Sequence, residues 1–459
     1  MKRPNILFLY TDQQRWDTIC AGGNSHISTP NLDRLAERGV LFDHHFCNAP
    51  LCMPSRASML SGLYPSVTGV TYNGIEMDER AVTLPDYLKP YGYHTANIGK
   101  LHFKNHASFN RDHRMPHPRY GFDTAIISDE PGCYEDAYLK WVAEQDPDAV
   151  PLCRCDTPPA WNGPKVEVNP RDVDEPYIFA GPEHLTHSAF VADETCRYIR
   201  EHQQQPFLCI SGFYAPHAPI NPPQRFVDMY DIDSMPLPQQ NPGENFRETS
   251  DGQWRKIKAY YYALISHIDD QIGRILDTLD SCGLTDDTLI VFTSDHGENL
   301  GDHGKINKYN SHDSSSRVPL IVSYPAGLKP QSHRHELIES VDLVPTLLDW
   351  SGIQVPPNVQ GRSFRPLLEG KAYEPRGSAF IELGEPGGFS YKALRTATHL
   401  YERRSDGDEV LYDLQSDPHQ LTNIAEAPAH REALEGLRAK LLGRWFDVQS
   451  RDAVRTGPY

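Results

Sequence analysis

Over residues 1–360 short apolar runs alternate with longer stretches in which apolar residues recur every three or four positions. The short runs read as strands buried on both faces, and the longer pattern as helices laid against a sheet. Residues 6–10, 95–98, 207–210, 289–293 and 320–324 are the strand candidates. Ile257, Tyr261, Leu264, Ile268, Ile272, Ile275 and Leu279 mark one long helix with a single face on the sheet, closed by Cys282-Gly283. Strands joined by helical crossovers predict an α/β fold around a large, mainly parallel sheet. Residues 103–175 are rich in Pro, His, Asp and Arg with weak periodicity, which predicts long surface loops with short helices.

The pattern changes after Gln360-Gly361-Arg362-Ser363-Phe364. Residues 379–381, 391–395 and 409–414 read as antiparallel strands and 431–446 as a closing helix. We therefore expect a catalytic unit over residues 1–365 and a smaller C-terminal α+β domain with an antiparallel sheet over 366–459.

Composition narrows the function classes. With 459 residues, 39% hydrophobic and 23% charged, the chain can bury a large core. A formal charge of −18 argues against a nucleic-acid or anionic-membrane partner, so any anion site must be assembled locally from Arg, Lys and His. No apolar run approaches the roughly 20 residues of a membrane span. Lys2 and Arg3 precede an apolar run too short for a signal peptide, which leads straight into Thr11-Asp12-Gln13-Gln14-Arg15, so a cytoplasmic location is expected. Nine cysteines, an odd number, read as reduced thiols, and the Cys153/Cys155 pair as plain loop thiols. His106, His113 and His117 have no metal-binding spacing. Homo-oligomerisation is compatible with the sequence.

The candidate chemistry centres on Pro50-Leu51-Cys52-Met53-Pro54-Ser55-Arg56-Ala57-Ser58-Met59-Leu60-Ser61-Gly62. Pro54 fits the first position of a helix, which sets Cys52 at a helix N-terminus that favours an anion. Arg56, one turn on, can reach back to the same point. Two other strand ends add polar groups, Asp12-Gln13 after the first strand and Ser294-Asp295-His296-Gly297-Glu298 after the fourth. Two carboxylates, an amide and an imidazole suit Ca²⁺ or a similar hard cation at the carboxyl edge of a parallel sheet.

These segments together resemble the formylglycine-dependent type I sulfatases of the alkaline phosphatase superfamily. The stretch from Cys52 resembles their C-x-P-S-R signature, and Gly92-Tyr93-His94-Thr95-Ala96-Asn97-Ile98-Gly99-Lys100-Leu101-His102 their second signature, with Leu101 where an aromatic is usual. Phe213-Tyr214-Ala215-Pro216-His217-Ala218-Pro219 is similar to their P-H-x-P loop. Gly301-Asp302-His303-Gly304, Lys308 and Arg317-Val318-Pro319 follow the metal-binding stretch in order. Gln13 stands where the family has a second aspartate, which keeps an oxygen ligand. Leu411-Tyr412-Asp413-Leu414, Asp417-Pro418 and Asn423 resemble the family's C-terminal segment.

The resemblance implies hydrolysis of a sulfate monoester of a sugar or another small molecule, through a formylglycine made from Cys52 by a maturation enzyme. It also implies a divalent metal, Ca²⁺ or alternatively Mn²⁺ or Zn²⁺, held by Asp12, Gln13, residue 52, Asp295 and His296. Arg56, Lys100 and Lys308 would hold sulfate oxygens and Asp295 would take a proton from residue 52. His217 would protonate the leaving alcohol, and His102 would deprotonate the second hydroxyl to expel sulfate. Glu298 and His303 would stand behind the ligands. One alternative is a phosphonate monoester or phosphodiester hydrolase, in which neutral residues correspond to Lys100 and His102. Another is an inactive anion- or sugar-binding homologue with unmodified Cys52. An alkaline-phosphatase-like enzyme would need a hydroxyl residue at position 52.

Overall fold

The computed structural model describes residues 3–104, 117–156, 175–245 and 248–449, so His106 and His113 lie outside it. Strands β1 (Asn5–Asp12), β2 (Gly39–Phe46), β3 (His94–Gly99), β4 (Thr124–Ile127), β5 (Phe207–Pro216), β6 (Thr288–Ser294), β7 (Arg317–Ser323), β8 (Gln331–Arg334) and β9 (Ile338–Glu339) form one sheet. Its order is β4-β3-β5-β1-β6-β7-β2-β8, with β9 also paired to β2. Strands β4, β3, β5, β1 and β6 run parallel to one another, while β7 is antiparallel to both β6 and β2. This is the expected mainly parallel α/β architecture.

All five expected strands of this sheet form. The pattern missed β2, whose Asp43-His44-His45 breaks the apolar run where the pairing shifts register between Phe42 and His45. It also missed β4, a four-residue strand inside the segment read as loop, and the short β8 and β9. The same segment contributes a helix, Ala137–Gln145, started by the Asp136 carboxylate accepting from Leu139 N at 3.0 Å.

Strand β1 is buried throughout, and its side chains alternate between two cores. Ile6, Phe8 and Tyr10 join one core with Met53, Ala57 and Leu60 of the helix Cys52–Ser61. Leu7 and Leu9 join the other with Ile268, Ile272, Ile275 and Leu279 of the helix Asp251–Ser281. That helix begins with a capping box in which Ser250 and Gln253 bond each other's backbone. Among the described residues no helix is long and apolar enough to cross a membrane.

A second sheet is antiparallel in the order β10 (Ala379–Gly384), β11 (Ser390–Arg395), β12 (His399–Arg404) and β13 (Glu409–Asp413). Strand β12 was not anticipated, since Arg403 and Arg404 dilute its apolar alternation. The helix Arg431–Asp447 covers one face with Leu434, Leu437 and Leu441 against Phe380, Leu394, Tyr401 and Leu411.

Charge fastens this second sheet to the first. Arg395 on β11 grips Asp313 with two bonds of 2.8 and 3.0 Å, and Gln420 Nε2 donates to the same carboxylate at 2.8 Å. Burial opposes ionisation of Asp313, but Arg395 and Arg317 outweigh it and hold the carboxyl well below the usual carboxylate range. Its stabilising effect is therefore complete above the unfolded value near pH ~4 and is lost as pH falls through the depressed folded value. Asp313→Ala, which leaves Arg395 without its counterion, is expected to lower stability by about 3–5 kcal/mol at neutral pH. Denaturant unfolding should give a smaller difference from the native chain below pH ~3.

Candidate active site

Four adjacent strands, β3, β5, β1 and β6, deliver the polar groups. Their pairing sets Gly99 opposite Gly212, Thr11 opposite Ser294 and Asp12 opposite Pro216. The residues that follow, Lys100, His217 and Asp295, thus emerge with Asp12 along one carboxyl edge. Lys100 N donates to Gly212 O at 2.9 Å and Asp295 N to Thr11 O at 3.2 Å, which prolongs the ladder to the site. Gly212 permits this crowding, because a Cβ there would collide with Lys100 O and the Tyr10 hydroxyl.

The helix Cys52–Ser61 points its start at this edge. It begins at Cys52 itself, so Pro54 occupies the third position rather than the first. The proline is still tolerated, because the first four N–H groups of a helix have no partner within it. Met53 N donates to Asn73 Oδ1 at 3.0 Å, and Gly62, at φ 73°, ends the helix.

Arg56 is bound on every side by protein groups. Its Nε donates to Asp295 Oδ2 at 2.8 Å and Nη2 to Asp12 Oδ2 at 3.0 Å, while Nη1 donates to the Tyr10 hydroxyl at 3.0 Å and Lys100 O at 3.3 Å. The side chain is fully buried. It joins the two carboxylates, which would otherwise share one dry space uncompensated. Lys100, also fully buried, lies 2.7 Å from Asp12 Oδ2 and 4.5 Å from the centre of the Tyr214 ring. Burial opposes its charge, but Asp12 and Glu130 hold its pKa above the ordinary lysine value. Burial raises the Asp295 carboxyl, with Arg56 opposing and Asp12 adding to the rise. Asp12 stays low, since Lys100, His217 and Arg56 together outweigh its burial.

Ligand atoms of Asp12, Cys52, Asp295 and His296 all lie within 4.8 Å of one another, and all four residues are buried. His296 Nε2 is 3.1 Å from Cys52 Sγ and 3.7 Å from each of Asp12 Oδ1 and Asp295 Oδ1. Its Nδ1 bonds Gly297 O at 2.9 Å, which orients the ring. Two hard carboxylates and one imidazole in this compass fit a divalent cation. Gln13 adopts φ 71°, and its backbone N donates to Asp295 Oδ1 at 3.0 Å. Its amide oxygen accepts from Lys308 Nζ and its amide nitrogen donates to Glu298. An amide oxygen has two lone pairs, so this contact leaves room for a cation as well.

The remaining expected residues converge on position 52. Burial would raise the Cys52 thiol, but Lys308, His296, His102 and His217 together hold it well below the ordinary thiol value. Lys308 in turn is raised by Cys52 and Asp12 against the effect of burial. His217 Nδ1 lies 2.9 Å from Ala218 O, so Nδ1–H donates there and Nε2 is the nitrogen left for chemistry. His303, by contrast, stacks on His312 at 3.9 Å and is bonded through its backbone to Gln239.

Several residues escaped the sequence reading. Asp129, fully buried just beyond β4, accepts from Leu101 N at 2.6 Å and His102 N at 2.9 Å, fixing His102 in its left-handed φ of 56°. Glu130 lies beside it, 3.4 Å from the Tyr214 hydroxyl. Both sit in the segment read as surface loop, where nothing in the local pattern signals them. Asn73 carries no signal either, while Tyr10 and Tyr214 lay inside recognised segments without an assigned role.

Comparison with known proteins bears on this geometry. The family model "Sulfatase" matches residues 4–353, and one described as "N-sulphoglucosamine sulphohydrolase, C-terminal" matches residues 301–445. An arylsulfatase of Clostridium perfringens is 30% identical, covering 96% of this chain and 94% of its own. A choline-sulfatase of Rhizobium meliloti is also 30% identical, over 98% of this chain and 88% of its own. The crystal structure of a phosphonate monoester hydrolase of Agrobacterium radiobacter superposes with a TM-score of 0.85 at 27% identity, covering 98% of this chain and 97% of that one. The matched family and the extent of these alignments identify the chain as an enzyme of the sulfatase family, within the alkaline phosphatase superfamily.

Proposed function

We propose that the enzyme hydrolyses sulfate monoesters of small molecules, using a formylglycine made from Cys52 and a divalent cation. The observation that carries this reading is the convergence of Lys100 and His102 on residue 52. Lys100 is buried against Asp12 at 2.7 Å, and His102 is among the groups that hold the Cys52 thiol below its ordinary value. Phosphonate-cleaving relatives are expected to carry neutral residues at these two places, so retention of both favours sulfate. The structural likeness to such a hydrolase keeps phosphonate monoesters as the second reading.

Each side chain has a definable task. Lys100 and Lys308 bring two buried cations to the sulfate oxygens, and Arg56 holds Asp12 and Asp295 in place rather than touching substrate. Asp295, whose carboxylate oxygen lies within 4.8 Å of the Cys52 sulfur, would accept a proton at residue 52. His217, oriented through Nδ1, presents Nε2 to the leaving oxygen and gives it a proton. His102, fixed by Asp129, removes the proton whose loss frees sulfate and restores residue 52. Formylglycine supplies a geminal diol as nucleophile, and the cation, held by Asp12, Asp295, His296 and Gln13, supplies Lewis acidity.

The direct test compares an aryl sulfate with an aryl phosphonate monoester, using protein whose Cys52 peptide shows the mass of the aldehyde. Sulfate should be preferred and Cys52→Ala should abolish turnover; preference for phosphonate would overturn the reading. Lys100→Ala is expected to lower kcat/KM for the aryl sulfate by roughly 10²–10³-fold. Normal turnover would remove Lys100 from the site. Asp12→Ala should purify without its divalent metal; full metal content by elemental analysis would contradict the ligand set.

A further inference from the structure

We propose that Tyr309 and Tyr72, with Glu385 beside them, form a subsite that holds the sugar ring of a sulfated pyranoside. The proposal rests on the sulfatase reading above and assigns the class of alcohol that the enzyme releases.

Tyr309 immediately follows Lys308, whose ammonium reaches Gln13 and faces Cys52. The residue is 43% exposed, yet its backbone is fixed in the left-handed region at φ 87°, with Asn307 on the other side of Lys308 at φ 65°. A tyrosine adopts such a conformation only when its surroundings impose it, and positions of that kind gather at functional sites. Tyr309 N donates to Pro50 O at 3.4 Å, two residues before Cys52. The turn that delivers Lys308 into the site therefore also sets an aromatic face at its outer rim.

Tyr72 completes that face. Its neighbour Asn73 bonds Met53 N at 3.0 Å, and its ring packs against the cluster that contains Leu51. Both tyrosines are thus tied to the start of the signature helix from opposite sides of residue 52. Their rings lie 6.3 Å apart at an angle of 34°. A ligand sandwiched between two rings needs about 7 Å or more, two contacts of 3.5–4 Å, so the pair is one continuous platform rather than a cage for a cation.

A carboxylate borders the platform. Thr71 and Gly384 are joined by two hydrogen bonds, Thr71 Oγ1 to Gly384 O at 2.7 Å and Gly384 N to Thr71 O at 3.2 Å. They bring Glu385 beside Tyr72, and the Tyr72 phenol is raised by burial, by Glu385 and by Tyr309. A flat apolar surface with a hydrogen-bond acceptor at its edge matches a pyranose, which offers a face of C–H groups and a rim of hydroxyl donors. The second sheet would then take part in substrate binding through Glu385.

The test uses steady-state kinetics of aldehyde-bearing protein on a methyl pyranoside 6-sulfate and on ethyl sulfate, which has no ring. Tyr309→Ala and Tyr72→Ala should each lower the ratio of kcat/KM, pyranoside over ethyl sulfate, by about tenfold, mainly through KM. Tyr309→Phe should hold the ratio within about twofold, because the ring and not the hydroxyl makes the contact. An unchanged ratio, an equal loss on both esters, or a wild type that prefers choline sulfate to the pyranoside would each overturn the proposal. If only phosphonates are cleaved, the sulfatase reading fails while the platform stays testable by saturation-transfer NMR with the unsulfated methyl pyranoside. Loss of the ring-proton signal in Tyr309→Ala would then support the subsite, and its persistence would overturn it.

Discussion

The structure depends on keeping two carboxylates side by side in a space from which water is excluded. Asp12 and Asp295 leave adjacent parallel strands at the same level, so backbone pairing alone forces them together. Uncompensated, this would carry a desolvation penalty of several kcal/mol per ion. Arg56 from the facing helix and Lys100 from the third strand meet that penalty with bonds of 2.7 to 3.0 Å. Every element that reaches the site answers to this arrangement: the helix must start at Cys52 to present Arg56 one turn later, and Gly212 must lack a side chain so that Lys100 can pass.

Much of this was legible from strand ends. A buried parallel strand announces itself by an unbroken apolar run, and the first polar residue after it must lie at the carboxyl edge, where open α/β sheets form their sites. That reasoning located Asp12 and Asp295 without any structure, while Lys100 and His217 were picked out by the resemblance of their segments to sulfatase motifs. The fate of Arg56 was not legible, because spacing says how far a side chain reaches and not which of two nearby anions it meets. Asp129 escaped for a related reason. It serves the backbone N–H groups of Leu101 and His102, and a residue that bonds main chain leaves no pattern of its own in the sequence.

The strands that were missed follow the same logic. β2 and β12 carry charged residues within their span, and β4, β8 and β9 are no more than four residues long, so neither alternation nor an apolar run stands out. Their places were decided by partners far along the chain: β2 beside β7, β12 between β11 and β13, β4 along β3. Pairing of that kind overrides local preference.

The reversed direction of β7 has a wider consequence. Two parallel neighbours must be joined by a crossover that returns the chain to the opposite edge, whereas antiparallel neighbours need only a short turn. Residues 295–316, between β6 and β7, therefore begin and end on the same edge of the sheet and serve no purpose in closing it. Sheet closure places no demand on them, so their course answers to the site instead, through Asp295 and His296 at one end, Lys308 in the middle and the Asp313 ion pair at the other. A loop with that freedom can carry function on a rigid scaffold, and a change in the turn around Lys308 and Tyr309 would leave the sheet that positions the chemistry as it is.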